Sequence, residues 1–454
     1  MLDPKLCNCS LTLYAFHSYR SNNAEQPDTD SNDFWKQLSE IGKVVQSTVL
    51  QNLRQELLTP ERIDQQEYQI LLKDSNDTLD LQLAPPINGF LTPYRIHNSY
   101  AADLTLGSSE ALPLSHLDQL NPRKSLILSN LPGLYGQTLV LFAKPNGAVR
   151  EYETLAKKCV EKIFQDPSIE LVGQGSFLNG LVFEFDNCKF GLTNHYHALI
   201  WFSYHDLGNE QIERATAYLL LLLNARHTIL YAYRQSRTCH QQAKQLYNKI
   251  ETQLKKLHED HQAVDRLKRF KEALIQLPQN ATQYIEYLRN LSDQETTVAT
   301  NIENFDQELS EFSKLSGTDA EFLKEFSALA KRRFLKQIQI DRKYLEPGQQ
   351  MIQQYIDAIR GLTEIEQAEI DRKLGQIIQV VGVGLAAGSI VGSGSSYLER
   401  PFKSPFTTNT IHPFVLTLLV SFLAAFIAGG ITFWIIRPKH RKWRWLQWFR
   451  STKQ

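Results

Sequence analysis

The sequence predicts an α+β cytoplasmic domain, then a long α-helical bundle or coiled coil, then two C-terminal transmembrane helices. Three observations support this prediction. Strand-like and helix-like patterns alternate over residues 1–205, whereas residues 206–346 are helix-like, with few glycines and prolines. Two uncharged segments follow, 374–392 and 414–436. As helices, both are long enough to cross a hydrocarbon core of about 30 Å.

The composition fits a chain of two or three globular domains, with 454 residues, 42% hydrophobic and 22% charged. The formal net charge is 0, but it is unevenly distributed. From Arg437 onward there are seven basic side chains and no acidic one, while the rest of the chain holds 42 basic and 49 acidic side chains. A basic tail on an acidic body favours binding to an anionic surface, either lipid or nucleic acid.

Five cysteines argue against a disulfide framework and suit a reducing compartment. The first residues lack a signal-peptide pattern.

Residues 1–205 are predicted to form a cytoplasmic α/β domain. The predicted strands are Leu11–Phe16, Thr138–Ala143, Ile169–Val172, Leu181–Phe185 and His197–Tyr204, and the predicted helices are Asp33–Val45 and Val149–Phe164. Gly173-Gln174-Gly175 is predicted as a hairpin turn. The stretch 60–125 is rich in Pro, Asn and Asp, and no order of elements is predicted for it.

The helical region is predicted as a bundle over residues 206–346 and a stalk helix over 347–373. Its helix-like segments are 209–275, 279–293, 297–346 and 348–373, in which apolar residues recur every three or four positions. Pro347 suits the first turn of the stalk helix. The apolar run Ala215–Tyr233 contains Asn224, Arg226 and His227 at its middle, so it is predicted as a buried soluble helix rather than a membrane span.

The second predicted span, residues 414–436, is followed directly by a basic and aromatic tail, residues 437–454. Cationic and aromatic residues together are typical of a membrane interface, and the positive charge predicts a cytoplasmic C-terminus. The predicted interface anchors are Arg437, Lys439, Arg441, Lys442, Trp443, Arg444, Trp445 and Trp448. Because a nucleic-acid patch would not need an apolar segment before it, lipid is the predicted partner and nucleic acid is not.

The first predicted span, residues 374–392, contains glycines that could also suggest a phosphate loop. A dinucleotide fingerprint requires G-x-G-x-x-G followed by a βαβ unit. Here the third glycine falls one residue late, and a polar loop follows. Gly384, Gly388 and Gly392 are spaced by four, as on one face of a packed membrane helix. The predicted topology is therefore two-pass in an inner or plasma membrane, with an outer loop at 393–413 and both termini cytoplasmic.

Polar and small residues of the first span are candidates for lining a pore or for packing helices together. They are Gln376, Gln379, Gly384, Gly388, Ser389, Gly392 and Ser393. Polar side chains are unfavourable in lipid unless they face a partner helix or a water-filled path. Both interpretations stay open at this stage.

Four acidic residues precede the first span: Glu364, Glu366, Glu369 and Asp371. In a symmetric oligomer they would form an acidic ring at the inner mouth and could bind a divalent cation through oxygen ligands. A solvated helix face is the alternative. No other cofactor is predicted.

His195 and His197 share one side of a predicted strand, near Cys188 and His205-Asp206. These are ligand types that suit zinc, but neither their spacing nor Cys7-x-Cys9 matches a strong zinc pattern, so no metal site is predicted. The sequence also contains no P-loop, H-E-x-x-H, G-x-S-x-G or D-F-G motif. The chain is therefore predicted not to be an enzyme.

The order of these segments resembles the CorA superfamily of divalent-cation channels over most of the chain. The resemblance implies a homopentamer in which the first span lines a central pore. That family has Gly-Met-Asn at the outer end of the first span, where this chain has Gly392-Ser393-Gly394-Ser395-Ser396. The helical half and the two spans also resemble an uncharacterised family of bacterial membrane-anchored proteins.

The predicted function is a membrane channel or transporter, for divalent cations by resemblance, with a large cytoplasmic regulatory region. The alternative is a two-span anchor that carries a cytoplasmic interaction or sensor domain without transport.

Overall fold

The computed structural model describes residues 3–19, 29–58, 68–73, 77–129, 131–146, 151–166, 169–187, 196–205, 207–259, 263–363 and 378. Two compact units emerge. The sheet unit comprises Met1–Ser236 and Gln294–Gln339, and the helical unit comprises Arg237–Asp293 and the described residues from Ile340 onward.

The sheet unit is organised around one mixed sheet, in which ten strands are found among the described residues. The strands are β1 (Lys5–Ser18), β2 (Tyr68–Ile70), β3 (Leu79–Asp80), β4 (Ile87–Ile96), β5 (Ser99–Ser108), β6 (Leu112–Pro113), β7 (Leu134–Pro145), β8 (Glu170–Phe177), β9 (Gly180–Asp186) and β10 (His197–Phe202). Their order is β2-β4-β5-β1-β7-β10-β9-β8, with β3 on β4 and β6 on β1. The β7–β10 pair is parallel, and the other pairs are antiparallel.

The first face of the sheet, which carries Leu11, Leu13 and Ala15 of β1, packs against short helices. These are α1 (Thr29–Val45), α2 (Thr48–Gln51), α3 (Leu53–Glu56), the 3₁₀ helix Leu114–Leu120 and α4 (Tyr152–Phe164). Their apolar side chains and those of the first face form one buried core. Because successive side chains of a strand point to opposite faces, the alternate residues need a second covering layer.

The second face, which carries Tyr14, Phe16 and Thr138, is covered by long helices. The parts of α5 (Asn209–Glu259), α6 (Ala263–Phe312) and α7 (Glu321–Leu329) that belong to the sheet unit form this layer. The π-helical turn Ala330–Leu335, α8 (Lys336–Leu345) and α9 (Pro347–Thr363) follow along the chain. Within the sheet unit, the His227 ring of α5 lies 5.6 Å from Phe16 on β1. The Phe312 ring of α6 lies 4.7 Å from Phe177 on β8. Since both faces are covered, the sheet is the middle of three layers.

Polar contacts join the helical segments of the helical unit. Buried Asp341 of α8 pairs with Arg237 of α5, and its Oδ1 lies 3.6 Å from His240 Nδ1. The hydroxyl of buried Tyr284 donates to the Leu345 carbonyl.

Most predicted elements of residues 1–205 are confirmed, with shifted ends. The predicted strands correspond to β1, β7, β8, β9 and β10, and the predicted helices to α1 and α4. The stretch 60–125, for which no order was predicted, contains β2 to β6.

The predicted hairpin turn at Gly173-Gln174-Gly175 is wrong. These residues lie inside β8, and the chain reverses at Leu178 and Asn179, both with positive φ. The glycines serve close packing instead. A Cβ at Gly173 or Gly175 would lie 2.9 or 2.6 Å from the Phe322 ring of α7.

Two predicted breaks between helix-like segments, at 276–278 and 294–296, are wrong. Helix α6 runs through Pro278 and through residues 294–296 without a break, although proline removes a backbone donor. The chain instead leaves the helix after Phe312, and Gly317 provides a positive φ in the connection to α7. The predicted start at Pro347 is confirmed by α9. Ala215–Tyr233 is confirmed as part of a buried helix, since Asn224, Arg226 and His227 are each less than 10% exposed.

Among the described residues, no helix combines the length and apolar character needed to span a bilayer. The predicted spans at 374–392 and 414–436 lie outside these residues, apart from the isolated residue 378.

Gly136 on β7 tests the docking of α5 on the second face. A Cβ there would overlap the His227 ring, whose Cγ would lie 2.8 Å away. We expect Gly136→Ala to decrease the free energy of unfolding of the full chain by about 1–3 kcal/mol, as overpacking does. Urea denaturation in mild detergent, followed by circular dichroism, provides the measurement.

Gly208→Ala is the matched control for this change, because the nearest atom to a Cβ at position 208 is Gln211 Oε1 at 3.8 Å. Equal stability of the two variants would contradict the close packing of α5 on β7.

Candidate functional site

The sheet unit contains a cleft of about 620 Å³ between β8, β9, α5 and α7. It is lined by Glu170, Val172, Glu184, Asp186, Asn187, Arg226, Leu230, Phe322, Glu325, Phe326, Ala328, Leu329, Arg332 and Phe334. Half of these side chains are apolar and half are polar or charged. A concave site of mixed chemistry is the usual setting for a small ligand.

The inner wall of the cleft is built on Arg226, which α5 presents to β9. Its Nη2 donates to Asp186 Oδ2 at 2.7 Å, and its Nη1 lies 3.3 Å from Glu184 Oε1. The guanidinium carbon lies 4.3 Å from the centroid of the Phe326 ring of α7. All three charged side chains are at most 7% exposed. A buried guanidinium therefore joins one strand and two helices.

A chain of hydrogen bonds extends from this ion cluster along the second face. His197 Nε2 lies 3.0 Å from Glu184 Oε1, and Thr138 Oγ1 lies 2.8 Å from both His197 Nδ1 and His227 Nε2. Because an ionised Glu184 can only accept, Nε2 carries the proton of a neutral His197. His197 Nδ1 then accepts from the Thr138 hydroxyl, whose oxygen accepts from His227 Nε2–H.

The protonation states follow from burial and from the neighbouring charges. Burial alone would raise the pKa of Glu184, but the Arg226 guanidinium and the His197 hydrogen bond outweigh it and lower that pKa. Burial lowers the pKa of His197, and the charge of Arg226 lowers it further, whereas Glu184 acts to raise it. The cluster thus holds an ionised carboxylate beside a neutral imidazole.

The outer wall of the cleft is formed by α7 and by the π-helical turn that follows it. Phe322 packs against Gly173 and Gly175 of β8, which have no side chain to keep it away. The π-helical turn contributes Arg332 and Phe334 to the lining. π-Helical turns are rare and are often found at functional sites. The wall is continuous along the chain with α8.

The arrangement is suited to binding rather than to attack on a substrate. The Glu184, His197 and Thr138 sequence is the order of a catalytic triad. However, Thr138 is 0% exposed and His197 is 1% exposed. The Thr138 hydroxyl is also hydrogen-bonded to two histidines. We therefore assign no reaction to these groups. The groups that the cleft offers to a ligand are carboxylates, guanidiniums and phenyl rings.

Of the histidines and cysteines considered for zinc, the structure places only some. His197 belongs to the buried chain, and His205 is exposed after β10. Cys188, His195 and Asp206 lie outside the described residues. Burial raises the pKa of Cys9 to about 12, which makes it a poor thiolate ligand. Among the described residues, no three His, Cys, Asp or Glu side chains are grouped to hold a metal ion.

The other predicted site residues lie outside the part of the chain that the structure describes. These are the pore or packing residues Gln376, Gln379, Gly384, Gly388, Ser389, Gly392 and Ser393, the acidic set Glu364, Glu366, Glu369 and Asp371, and the tail anchors from Arg437 to Trp448. Their roles stay predictions.

Local sequence patterns did not predict the ion cluster, although two of its features are visible in the sequence. Glu184 and Asp186 interrupt an apolar strand on the same side, and Arg226 interrupts an apolar helix. Charged residues on buried elements need a partner. Only the folded structure shows that Arg226 pairs with these carboxylates, which lie about forty positions earlier in the sequence.

No family model, no curated protein and no solved structure matches this chain.

Arg226→Met tests the ion cluster. The substitution leaves Glu184 and Asp186 buried without their shared cation, so we expect it to decrease the free energy of unfolding by about 3–5 kcal/mol near pH 7. Arg214→Met on the exposed side of α5 is the control, with an expected change within about 0.5 kcal/mol. Denaturation of the full chain measures both. Similar losses in the two variants would contradict a structural role of Arg226.

His197→Gln tests the buried neutral imidazole through pH. Since the folded-state pKa of His197 is lowered, the unfolded state binds the extra proton below its own pKa of about 6.5. Stability should therefore decrease as pH falls below about 6.5, with this residue contributing at most about 1.4 kcal/mol per pH unit. His197→Gln should make the pH dependence shallower by that amount.

Burial raises the pKa of Asp103 to about 7, so this residue also contributes to the pH dependence of stability in the same range. For this reason the slope of the free energy of unfolding against pH is compared between variants. Exposed His116 provides the control substitution, His116→Gln. Identical slopes in wild type and His197→Gln between pH 5 and 7.5 would contradict the neutral, buried state.

Proposed function

We propose that the chain is a subunit of a two-span membrane channel or transporter for cations, with a large cytoplasmic regulatory region. The subunits would assemble as a symmetric oligomer, a pentamer by the CorA resemblance. The segment 374–392 would line the pore, and the acidic residues of 364–371 would surround its inner mouth. Both termini would lie in the cytoplasm.

The observation that carries the proposal is the helical path that precedes the first predicted span. Helices α8 and α9 follow each other almost without interruption from Lys336 to Thr363. The apolar segment 374–392 begins eleven positions later. A stalk helix that enters a pore-lining span can transmit movement, because a helix is stiff along its axis.

The cleft would provide the regulatory input. Its outer wall, α7 and the π-helical turn, is followed directly by α8. An occupant that displaced this wall would bias the position of the following helices, and the pore radius would respond. Such coupling requires that the ligand bind one state of the wall better than the other.

A second candidate, a two-span anchor without transport, is favoured by one specific observation. At the outer end of the first span, where the resembled family has Gly-Met-Asn, this chain has Gly392-Ser393-Gly394-Ser395-Ser396. In that case the cleft would serve as a sensor or interaction site at the membrane surface.

Ion flux into liposomes that contain the full chain separates the two functions. We expect flux of K⁺ or Mg²⁺ above that of empty vesicles. An acidic mouth raises the local cation concentration, so Glu369→Gln should decrease the flux by roughly tenfold. Gln379→Leu should also decrease it, by removing a polar side chain from the path.

Glu153→Gln on the exposed side of α4 is the control and should leave the flux unchanged. Flux indistinguishable from that of empty vesicles would contradict the channel function and favour the two-span anchor without transport.

A further inference from the structure

The charges of the cleft are unbalanced. Its lining contains four carboxylates, Glu170, Glu184, Asp186 and Glu325, and two guanidiniums, Arg226 and Arg332. Arg226 is committed to Glu184 and Asp186 on the inner wall. At the rim, Glu170 and Glu325 are exposed. The lining therefore carries a formal excess of negative charge, which attracts a cation into a cleft with low-dielectric walls.

The Arg332 guanidinium is already counted in this excess. Its Nε donates back to the Ala328 carbonyl at 3.3 Å, and its side chain is exposed, as are those of Glu170 and Glu325. Solvent screens all three charges alike. Because the two carboxylates outnumber the guanidinium, an incoming charge would meet a net negative rim.

The remaining lining is apolar and partly aromatic. Val172, Leu230, Phe322, Leu329 and Phe334 line the cleft together with Ala328 and Phe326. The Phe322 ring is fixed by its contact with the glycines of β8. Phenyl faces bind both flat apolar groups and cations. The cleft already contains one such pair, since the Arg226 guanidinium lies over Phe326.

These features favour an organic cation over a metal ion. Divalent cations need six or more oxygen ligands at 2.0–2.6 Å. Among the described residues, no group of three ligand side chains is close enough for a metal ion. A cation on an apolar body needs only the rim carboxylates and an apolar wall.

We propose that this cleft binds a small organic cation, an ammonium or guanidinium group carried on a flat apolar body. The cationic end lies between Glu170 and Glu325, and the body lies against the partly exposed Phe322 ring and exposed Val172. The proposal rests on the proposed function only in taking the cleft as the regulatory site. Binding itself requires no conduction.

Calorimetric titration of the full chain in detergent with tryptamine tests the proposal. We expect saturable binding in the submillimolar range. Indole-3-propionate, which has a carboxylate where tryptamine has an ammonium, should bind at least tenfold more weakly. Ethylamine, which lacks the ring, should also bind at least tenfold more weakly, because both halves of the site contribute.

The double variant Glu170→Gln/Glu325→Gln should weaken tryptamine binding at least tenfold. Both side chains are exposed, so the variant is expected to fold, and its denaturation midpoint verifies this. The charge-matched control Glu153→Gln/Glu321→Gln removes two exposed carboxylates outside the cleft and should bind as wild type does.

Three outcomes would overturn the proposal: no saturable tryptamine binding, equal affinity for indole-3-propionate, or unchanged affinity in the Glu170→Gln/Glu325→Gln variant. The flux experiment gives an independent result. Flux without tryptamine binding would reject this ligand and keep the channel, whereas binding without flux would reject the channel and keep this ligand.

Discussion

The sheet unit depends on one buried guanidinium. Arg226 binds two carboxylates of β9 with two of its nitrogens and lies against a phenyl ring of α7. Three elements that are distant in sequence therefore meet at one side chain. Removing charges from water is unfavourable, and such a cluster is stable only if every partner is present. The cluster thus specifies how α5 and α7 lie on the sheet more than it adds to stability.

The neighbouring contacts follow from this placement. Once Glu184 is ionised and held by Arg226, His197 must donate to it, and this orients the Thr138 hydroxyl and then His227. His227 follows Arg226 on α5 and packs over Gly136, where no side chain could be accommodated. The cleft lies on the other side of the same cluster, so the geometry that docks the helix also shapes its inner wall.

The sequence predicts those strands and helices in which apolar residues recur at regular spacing. Strands β1, β7, β9 and β10 are apolar enough to be recognised, and Pro347 correctly indicated the start of α9. The order of β2 to β6 was not predicted, because β2, β3 and β6 have only two or three residues each and β4 contains Pro93, a signal against a strand. Gly173 and Gly175 were assigned to a turn because glycine signals both turns and close packing. The contact with Phe322 decides in favour of close packing, and Phe322 lies 149 positions after Gly173 and 147 positions after Gly175. The ion cluster, likewise, is formed by pairing that no local pattern encodes.

Arg226 and the carboxylates of β9 thus act as one unit that joins the helices to the sheet. A double-mutant cycle with Arg226→Met and Asp186→Asn, measured by denaturation of the full chain, tests this coupling. If the residues act as one unit, the double variant is destabilised less than the sum of the single variants, with a coupling free energy of about 2 kcal/mol or more. Additive effects, within about 0.5 kcal/mol, would show that the two residues act independently and would contradict this coupling.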